Sequence, residues 1–218
     1  MKKYLFFDAV NVDNPKKKFV EFNTELNILN PHEMELFDSF LELIKNKAFY
    51  HSSKVSKQGF EMLKKILRFP SDKAFPVLDI YRMFLMHPHS SEHYKVFENA
   101  IEYLNIIIGH VKSQTQATQL VGLRCLVNLF NNSASLFVLH QKRQYIMDNV
   151  SEFVYSENKN VRQAAITLLL NYSILLLDKP DPEGKIQIVS AFSGGAIQKE
   201  IDAQSYLRIL TALANVSY

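Results

Sequence analysis

The chain has 218 residues, of which 47% are hydrophobic and 22% charged, a balance that excludes disordered and collagen-like chains. Lysines and arginines number 25 against 22 aspartates and glutamates, so the net charge of +3 gives no argument for nucleic acid or an anionic membrane. Only 6 glycines and 7 prolines occur, which disfavours barrels, sandwiches and dinucleotide-binding folds and favours long helices. The single cysteine, Cys125, excludes an intramolecular disulfide and fits a reducing compartment.

The first 30 residues differ from the rest of the chain. Their aromatic residues stand among lysines, aspartates and asparagines with a period of neither 3.6 nor 2. We predict an extended arm over residues 1–30 whose aromatic side chains pack on the remainder. No uninterrupted run of 18 apolar residues occurs anywhere, so the sequence predicts no membrane-spanning helix.

From Pro31 onward the hydrophobic pattern is helical. Asn30 followed by Pro31 is a typical helix start, and apolar residues then recur at spacings of three and four. The predicted class is all-α with eight or nine helices. After the helix that begins at Pro31, the predicted helices are Ser56–Arg68, Ala74–Met86, Tyr94–Ile108, Gln116–Phe130, Ser135–Phe153, Asn160–Leu176, Lys185–Phe192 and Gln204 to the end.

Three of these helices share a core that ends in asparagine. Asn128, Asn171 and Asn215 close the segments LRCLVN, ITLLLN and LTALAN, and they lie 43 and then 44 residues apart. The earlier helix around Arg82 fits the same frame, with Met86 at the position of the asparagine. A period of this length is typical of armadillo and HEAT repeats, so we predict a right-handed α-solenoid over residues 31–218.

The last helix of each repeat should line the concave face. Counting the repeat asparagine as zero, positions −7, −4 and 0 share one helical stripe. The stripe contains three arginines, three asparagines and one acid, namely Arg82, Arg124, Arg208, Asn128, Asn171, Asn215 and Asp79. Asparagine amides pair with peptide backbone and arginine pairs with carboxylates, so the stripe predicts a groove for an extended acidic peptide.

Two structural alternatives stand beside the groove. The repeat asparagines can instead bond backbone between neighbouring repeats, with no ligand involved. Arg82 can instead pair with Asp79, three residues earlier on the same helix.

Catalytic and metal sites have weak support. His87, His89 and His93 lie within seven residues, but no cysteine or acid completes a zinc set, so exposed loop histidines are the expectation. Cys125 stands among apolar residues and is expected to be a buried packing residue rather than a nucleophile. The candidate set Ser133, Ser135, His140 and Asp148 has no strand–turn–helix elbow. We therefore predict a non-enzyme without metal or cofactor.

Several segments resemble the PUL domain family, and together they span nearly the whole chain. They are FPSDKAFPVLDIYR over 69–82 with His87-Pro88 after it, Leu123-Arg124-Cys125 with the asparagines of 128–132, LLLNYS over 168–173 followed by Glu183-Gly184-Lys185, and Asn14-Pro15-Lys16-Lys17 before Phe19. Each piece is weak alone, but the combination is specific.

The resemblance implies an armadillo-like solenoid of six repeats with a basic concave groove. In the family that groove binds the acidic, tyrosine-containing C-terminal tail of the AAA ATPase valosin-containing protein, in ubiquitin-dependent protein turnover and ubiquitin homeostasis. By position, the implied tail-binding residues are Arg82, Arg124 and Arg208. Asn128, Asn171 and Asn215 are implied with weaker support, and Lys16 and Lys17 are implied contacts at the rim.

The chain departs from the family pattern at its end. The family continues for another repeat after the match to Tyr206–Ala214, so residues 31–218 are expected to lack the last repeat. Ubiquitin binding is expected only through other domains of a parent protein. The alternatives are a PUL module of a thioredoxin-like or isopeptidase fusion, or a regulator of a phospholipase. The resemblance implies a protein of the cytoplasm and nucleus.

Overall fold

The chain folds into α-helices that follow one another with short connections. The computed structural model describes residues 3–179, 181–194 and 202–217, and within these ranges no residue is in a β-strand. The all-α prediction is therefore confirmed. The helices are α1 (Asp13–Leu26), α2 (Pro31–Lys45), α3 (Lys57–Ile66), α4 (Phe75–Phe84), α5 (Phe97–Val111), α6 (Gln116–Asn128), α7 (Ser133–Gln141), α8 (Arg143–Val150), α9 (Lys159–Asp178), α10 (Pro182–Ser193) and α11 (Ala203–Val216).

Side-chain caps fix several helix starts. Asn30 caps α2, because its side chain accepts a hydrogen bond from the backbone N–H of Glu33 while the Glu33 carboxylate accepts one from the backbone N–H of Asn30. Asp202 caps α11 in a similar way through the backbone N–H of Ser205. These caps satisfy amide groups that the helix itself leaves without a partner.

Four helices form the inner layer of an α-solenoid. Helix α4 packs on α6, α6 packs on α9, and α9 packs on α11. Helices α5 and α10 pack behind this series, and α1 packs on α4 at its beginning. The order follows from the repeat of about 43 residues, because each unit places one helix in the inner layer and the apolar faces of neighbours bury one another.

Helix α9 is the centre of the core. It is the one helix in the described ranges that is long and apolar enough to cross a membrane, but 83% of its apolar window is buried inside the protein. Every residue from Ala164 to Leu176 is buried, including the polar Asn171 and Ser173. Burial on all sides explains why its apolar residues show no one-sided pattern.

The N-terminal segment differs from the prediction. Within the described part of residues 1–30, residues 3–12 and 27–30 lack helical structure, whereas 13–26 form α1, so the predicted extended arm is too long. The buried residues of α1 are Pro15, Phe19 and Asn23, which are spaced four apart as a helix requires. The pattern was hidden because Asn23 is polar, and it is buried because its amide bonds both the N–H and the carbonyl of Leu29.

The predicted helix Ser135–Phe153 also differs from the structure. Two helices, α7 and α8, replace it, and a 3-10 turn covers Ser151–Tyr155. The break falls at Lys142, which follows the last residue of α7 and directly precedes Arg143, the first residue of α8. Arg143 is buried and ion-pairs with Asp181, the cap of α10, with 2.5 Å between Nε and Oδ2. This pair joins the repeat that contains α8 and α9 to the next repeat, which contains α10 and α11.

Candidate functional site

The predicted stripe lies along the inner layer of the solenoid. Contacts between successive helices show that its residues form one ridge: the Asn128 amide donates to the carbonyl of Arg82 at 3.0 Å, and the Arg208 guanidinium donates to Thr167 Oγ1 at 2.8 Å. We call this surface the ridge and define it by four pairs of residues on α4, α6, α9 and α11, which are Asp79 and Arg82, Arg124 and Asn128, Thr167 and Asn171, and Arg208 and Asn215.

Residues 3–11, called the arm from here on, cross the ridge in an order opposite to that of the repeats. Asn171 Oδ1 accepts the N–H of Leu5 at 2.9 Å, and Asn171 Nδ2 donates to the carbonyl of Leu5 at 2.8 Å. Asn128 does the same with Phe7, at 2.9 Å from its N–H and 3.0 Å from its carbonyl. Alternate residues of an extended chain face the same side, so two asparagines one repeat apart hold residues two apart. We call Asn128 and Asn171 the asparagine ladder.

Arg82 fixes the far end of the arm. Its Nε donates to Asp79 Oδ1 at 2.6 Å, which confirms the predicted intrahelical pair. One terminal nitrogen donates to the carbonyls of Phe7 and Ala9 at 2.6 and 3.0 Å. Only 6% of Arg82 is exposed, because the arm covers it. The buried, charged guanidinium thus donates hydrogen bonds both to an acid and to peptide carbonyls, as burial of a charge requires.

Arg124 is held differently. Its guanidinium lies 5.0 Å from the ring centre of Phe7, a cation–π contact, and its Nε is buried with no hydrogen-bond partner in the described residues. Burial lowers the pKa of Arg124, the neighbouring charge of Arg82 lowers it further, and Asp79 opposes both. The ridge therefore contains a partly desolvated cation that the arm contacts through a ring and not through a carboxylate.

The arm is held almost entirely by side chains of the solenoid. Across the described residues it makes no backbone-to-backbone hydrogen bond, and its residues from Tyr4 to Phe7 are only half-buried. The Tyr4 ring lies 5.2 Å from the ring of Phe130, and burial, with a smaller contribution from Asp178, raises the pKa of Tyr4. This is the manner in which a groove holds a peptide, with amides on the backbone and shallow contacts for the side chains.

The described residues of the arm make no hydrogen bond to the last repeat of the ridge. Arg208 and Asn215 are half-exposed, and each bonds a hydroxyl of α9, Thr167 in the first case and Ser173 in the second. Burial lowers the pKa of Arg208, and Asp202 opposes the shift. We call this the open end of the ridge, because no residue of 3–11 bonds it.

Lys16 and Lys17, the implied rim contacts, lie on α1. Lys16 ion-pairs with Asp38 of α2 at 2.7 Å, and Lys17 is exposed. Within the described part of the chain, no hydrogen bond or ion pair joins either lysine to the ridge.

The histidine prediction was wrong. His87 and His93 are buried, not exposed in a loop, because a 3-10 turn over Pro88–Tyr94 folds them back onto the core. The ring of His93 stacks on Tyr103 with 4.1 Å between centroids. Burial is the main cause that lowers the pKa of His87 to about 4 and that of His93 to about 3, and His89 contributes to both shifts. In the described ranges no three His, Cys, Asp or Glu side chains come together as a metal site.

The candidate nucleophiles Cys125 and Ser135 are both buried and hydrogen-bonded to backbone carbonyls. Cys125 is fully buried, its thiol donates to the carbonyl of Leu78 at 3.2 Å, and burial raises its pKa. The Ser135 hydroxyl bonds the carbonyls of Leu129 and Asn132 at the start of α7. The expectation that Cys125 is a packing residue is confirmed, because a protonated thiol in the core is not a nucleophile.

Sequence reasoning missed the arm residues that bind across the ridge, chiefly Leu5, Phe7 and Ala9. The asparagines bond only their backbone, which every residue type shares, so no side-chain pattern marks them. The one available signal was the lack of helical period before residue 12.

Comparison with known proteins agrees with this geometry. The PUL domain model matches residues 1–218. The phospholipase A-2-activating protein of Xenopus laevis is 28% identical over 214 residues, which cover 96% of this chain and 26% of that protein. In the crystal structure of a PFU-PUL domain pair of Saccharomyces cerevisiae Doa1/Ufd3, the similar fold has a TM-score of 0.71 at 19% identity and covers 100% of this chain and 66% of that one.

The chain thus spans about a quarter of the length of its curated relative and two thirds of the yeast domain pair. The family model extends over both the arm and the solenoid. The chain therefore belongs to the PUL domain family of protein-interaction modules.

Proposed function

We propose that the chain is a non-catalytic recruitment module whose ridge binds the acidic, tyrosine-containing C-terminal tail of the AAA ATPase valosin-containing protein. It would serve ubiquitin-dependent protein turnover in the cytoplasm and nucleus. The proposal rests on membership of the PUL family and on the chemistry of the ridge.

One observation carries the proposal. Asn128 and Asn171 each pair with both backbone groups of a single residue in an extended segment, so the ridge is able to bind peptide main chain. The same asparagines would hold any extended peptide, because the contacts do not depend on its side chains. An extended chain is the form expected of a flexible C-terminal tail.

Charge favours an acidic ligand over a neutral one. Arg124 has a buried Nε without a hydrogen-bond partner in the described residues, and Arg208 donates to the neutral Thr167 hydroxyl, with Asp202 as a nearby acid. A carboxylate near each of these two arginines would give its guanidinium group charge-assisted hydrogen bonds, which are about twice as strong as neutral ones.

The test is a fluorescence anisotropy titration with a labelled acidic tail peptide of about ten residues that ends near a tyrosine. We expect Arg124→Ala and Arg208→Ala each to weaken binding about tenfold, the equivalent of about 1.4 kcal/mol. Higher salt should also weaken binding, because exposed charge pairs are screened. The same peptide with glutamine in place of each acid measures the share of binding that depends on charge.

The matched control is Arg68→Ala, because Arg68 is an exposed arginine that pairs with Glu102 away from the ridge. It should leave the affinity unchanged. Binding that survives the combined variant Arg82→Ala, Arg124→Ala and Arg208→Glu would exclude the ridge as the tail site.

A further inference from the structure

The ridge that fits an extended peptide already holds one, the arm of the same chain. We propose that the arm is an intramolecular ligand of the asparagine ladder, and that an acidic peptide partner binds by displacing it. The inference deepens the proposed function and rests on it for the identity of the competing peptide.

The hydrogen bonds show that the two occupants exclude each other. Each ladder amide has one carbonyl oxygen and one NH₂ group, and both are engaged by Leu5 at Asn171 and by Phe7 at Asn128. The second N–H of Asn128 goes to the carbonyl of Arg82 in the neighbouring helix. A second peptide cannot obtain the same bidentate pairing while the arm is in place.

The arm is bound in a way that permits release. Leu5 to Phe7 are half-buried, Asp8 and Ala9 are exposed, and the first described helix starts only at Asp13. The arm makes no backbone pairing with another segment in the described chain. Its removal would not open the solenoid core, since the pairs α4–α6 and α6–α9 pack on each other directly.

The arm also leaves a clear advantage to an acidic competitor. It offers Arg124 the ring of Phe7 and offers Arg82 two neutral carbonyls, while within the described residues the Asp8 side chain pairs with neither arginine. An acidic peptide would supply the same backbone contacts and, in addition, carboxylates for the guanidinium groups. The open end at Arg208 and Asn215 gives it a first contact before the arm leaves.

The size of the effect follows from competition within one molecule. A short tether gives the arm an effective concentration of about 1 mM at the ladder. If the free arm peptide binds with a dissociation constant of about 0.1 mM, the ladder is free about one tenth of the time, and the apparent affinity for a partner falls about tenfold.

The experiment uses the full chain with Leu5→Pro and Phe7→Pro, which remove the two N–H groups that the ladder accepts without changing the ladder. We expect this variant to bind the acidic tail peptide about tenfold more tightly than the unmodified chain. Asp8→Pro is the matched control, because the backbone N–H of Asp8 makes no hydrogen bond to the ladder, and it should leave the affinity unchanged.

Hydrogen exchange on the unmodified chain gives a second readout. The N–H groups of Leu5 and Phe7 should be protected, and saturating tail peptide should speed their exchange at least tenfold. Equal tail affinity in the unmodified and proline-substituted chains, with no change in exchange on binding, would overturn the inference and leave the proposed function standing.

A labelled peptide with the sequence of residues 3–11 distinguishes a failure of this inference from a failure of the proposed function. It should bind the proline-substituted chain and be excluded from the unmodified one, even if the tail peptide binds neither and the proposed function fails. No binding of this arm peptide to the proline-substituted chain would overturn the inference.

Discussion

The ridge has a covered end and an open end, and the two use the same residue types in the same repeat register. At the covered end, Arg82, Asn128 and Asn171 are buried under the arm and bond its backbone. At the open end, Arg208 and Asn215 are half-exposed and bond hydroxyl groups of α9. The environment of a ridge residue is therefore set by whether peptide chain lies over it and not by its position in the repeat.

The largest predicted effect is a loss of stability in acid that comes from a histidine packed on α4, the helix that carries Arg82. His93 is buried against Tyr81 and Tyr103 with a pKa lowered to about 3, so it is neutral in the folded state while the unfolded state binds a proton below about pH 6.5. Stability is therefore full above pH 6.5 and is lost as the pH falls from 6.5 towards 3. Between pH 6.5 and 4 we expect a loss of about 3 kcal/mol from His93 alone, measured by urea unfolding.

The control is a histidine nearer the open end. His93→Gln should remove the share of this pH dependence that comes from His93, whatever it does to stability at neutral pH, while His87, whose pKa is also lowered, retains its own share. His140→Gln should retain it, because His140 on α7 is only half-buried. If the dependence of the unfolding free energy on pH disappeared in His140→Gln and stayed unchanged in His93→Gln, His93 would not be its source.

Replacement of one ridge arginine at each end by methionine should show the difference between the two ends more directly. Arg82→Met leaves Asp79 without its partner in a partly buried site and removes two bonds to the arm. We expect it to lower the free energy of unfolding by between about 2 and 3 kcal/mol. Arg208→Met loses one bond to a hydroxyl at a half-exposed site and should cost about 0.5 kcal/mol. Equal losses would mean that cover by the arm does not matter.

The asparagines give a smaller contrast of the same kind. Asn128→Leu removes the partner of the Phe7 N–H and of the Arg82 carbonyl, while the Phe7 carbonyl keeps its bond from Arg82, and we expect a loss of about 2 kcal/mol in chemical denaturation. Asn215→Leu breaks one bond at a half-exposed site and should change stability by less than about 0.5 kcal/mol. If the Asn215 variant proved the more damaging, the comparison of the two ends would fail.

The smallest effect concerns the cation–π contact of Phe7 and Arg124. In a double-mutant cycle with Phe7→Leu and Arg124→Met, we expect a coupling energy of between about 0.5 and 1 kcal/mol. The measurement is again the free energy of unfolding. A coupling of zero would show that the ring lies over Arg124 without stabilising it.

The solenoid and the ridge were predictable because both rest on repetition. Asparagines spaced 43 and 44 residues apart in similar apolar segments fix the register, and the register alone places Arg82, Arg124 and Arg208 on one surface. The pairing of Arg82 with Asp79 followed from their spacing of three on one helix, and the structure has it at 2.6 Å.

The occupant of the ridge was not predictable from the residues. Leu5 and Asn171 are 166 residues apart, and Phe7 and Asn128 are 121 apart, so no local pattern links them. The bonds run to backbone groups that are the same in every residue. The burial of His93 was missed for a related reason, since its ring packs on Tyr103 of another helix.

The order in which a ribosome makes the chain gives these long separations a further meaning. The arm is synthesised first, but Asn171 follows Leu5 by 166 residues. At about 5–20 residues per second, the interval is on the order of 10–30 s. During that time Tyr4, Phe6 and Phe7 have no completed surface to cover them, and they form an aromatic-rich segment open to chaperones. Seating of the arm would then mark the moment at which the nascent solenoid has been translated through α9.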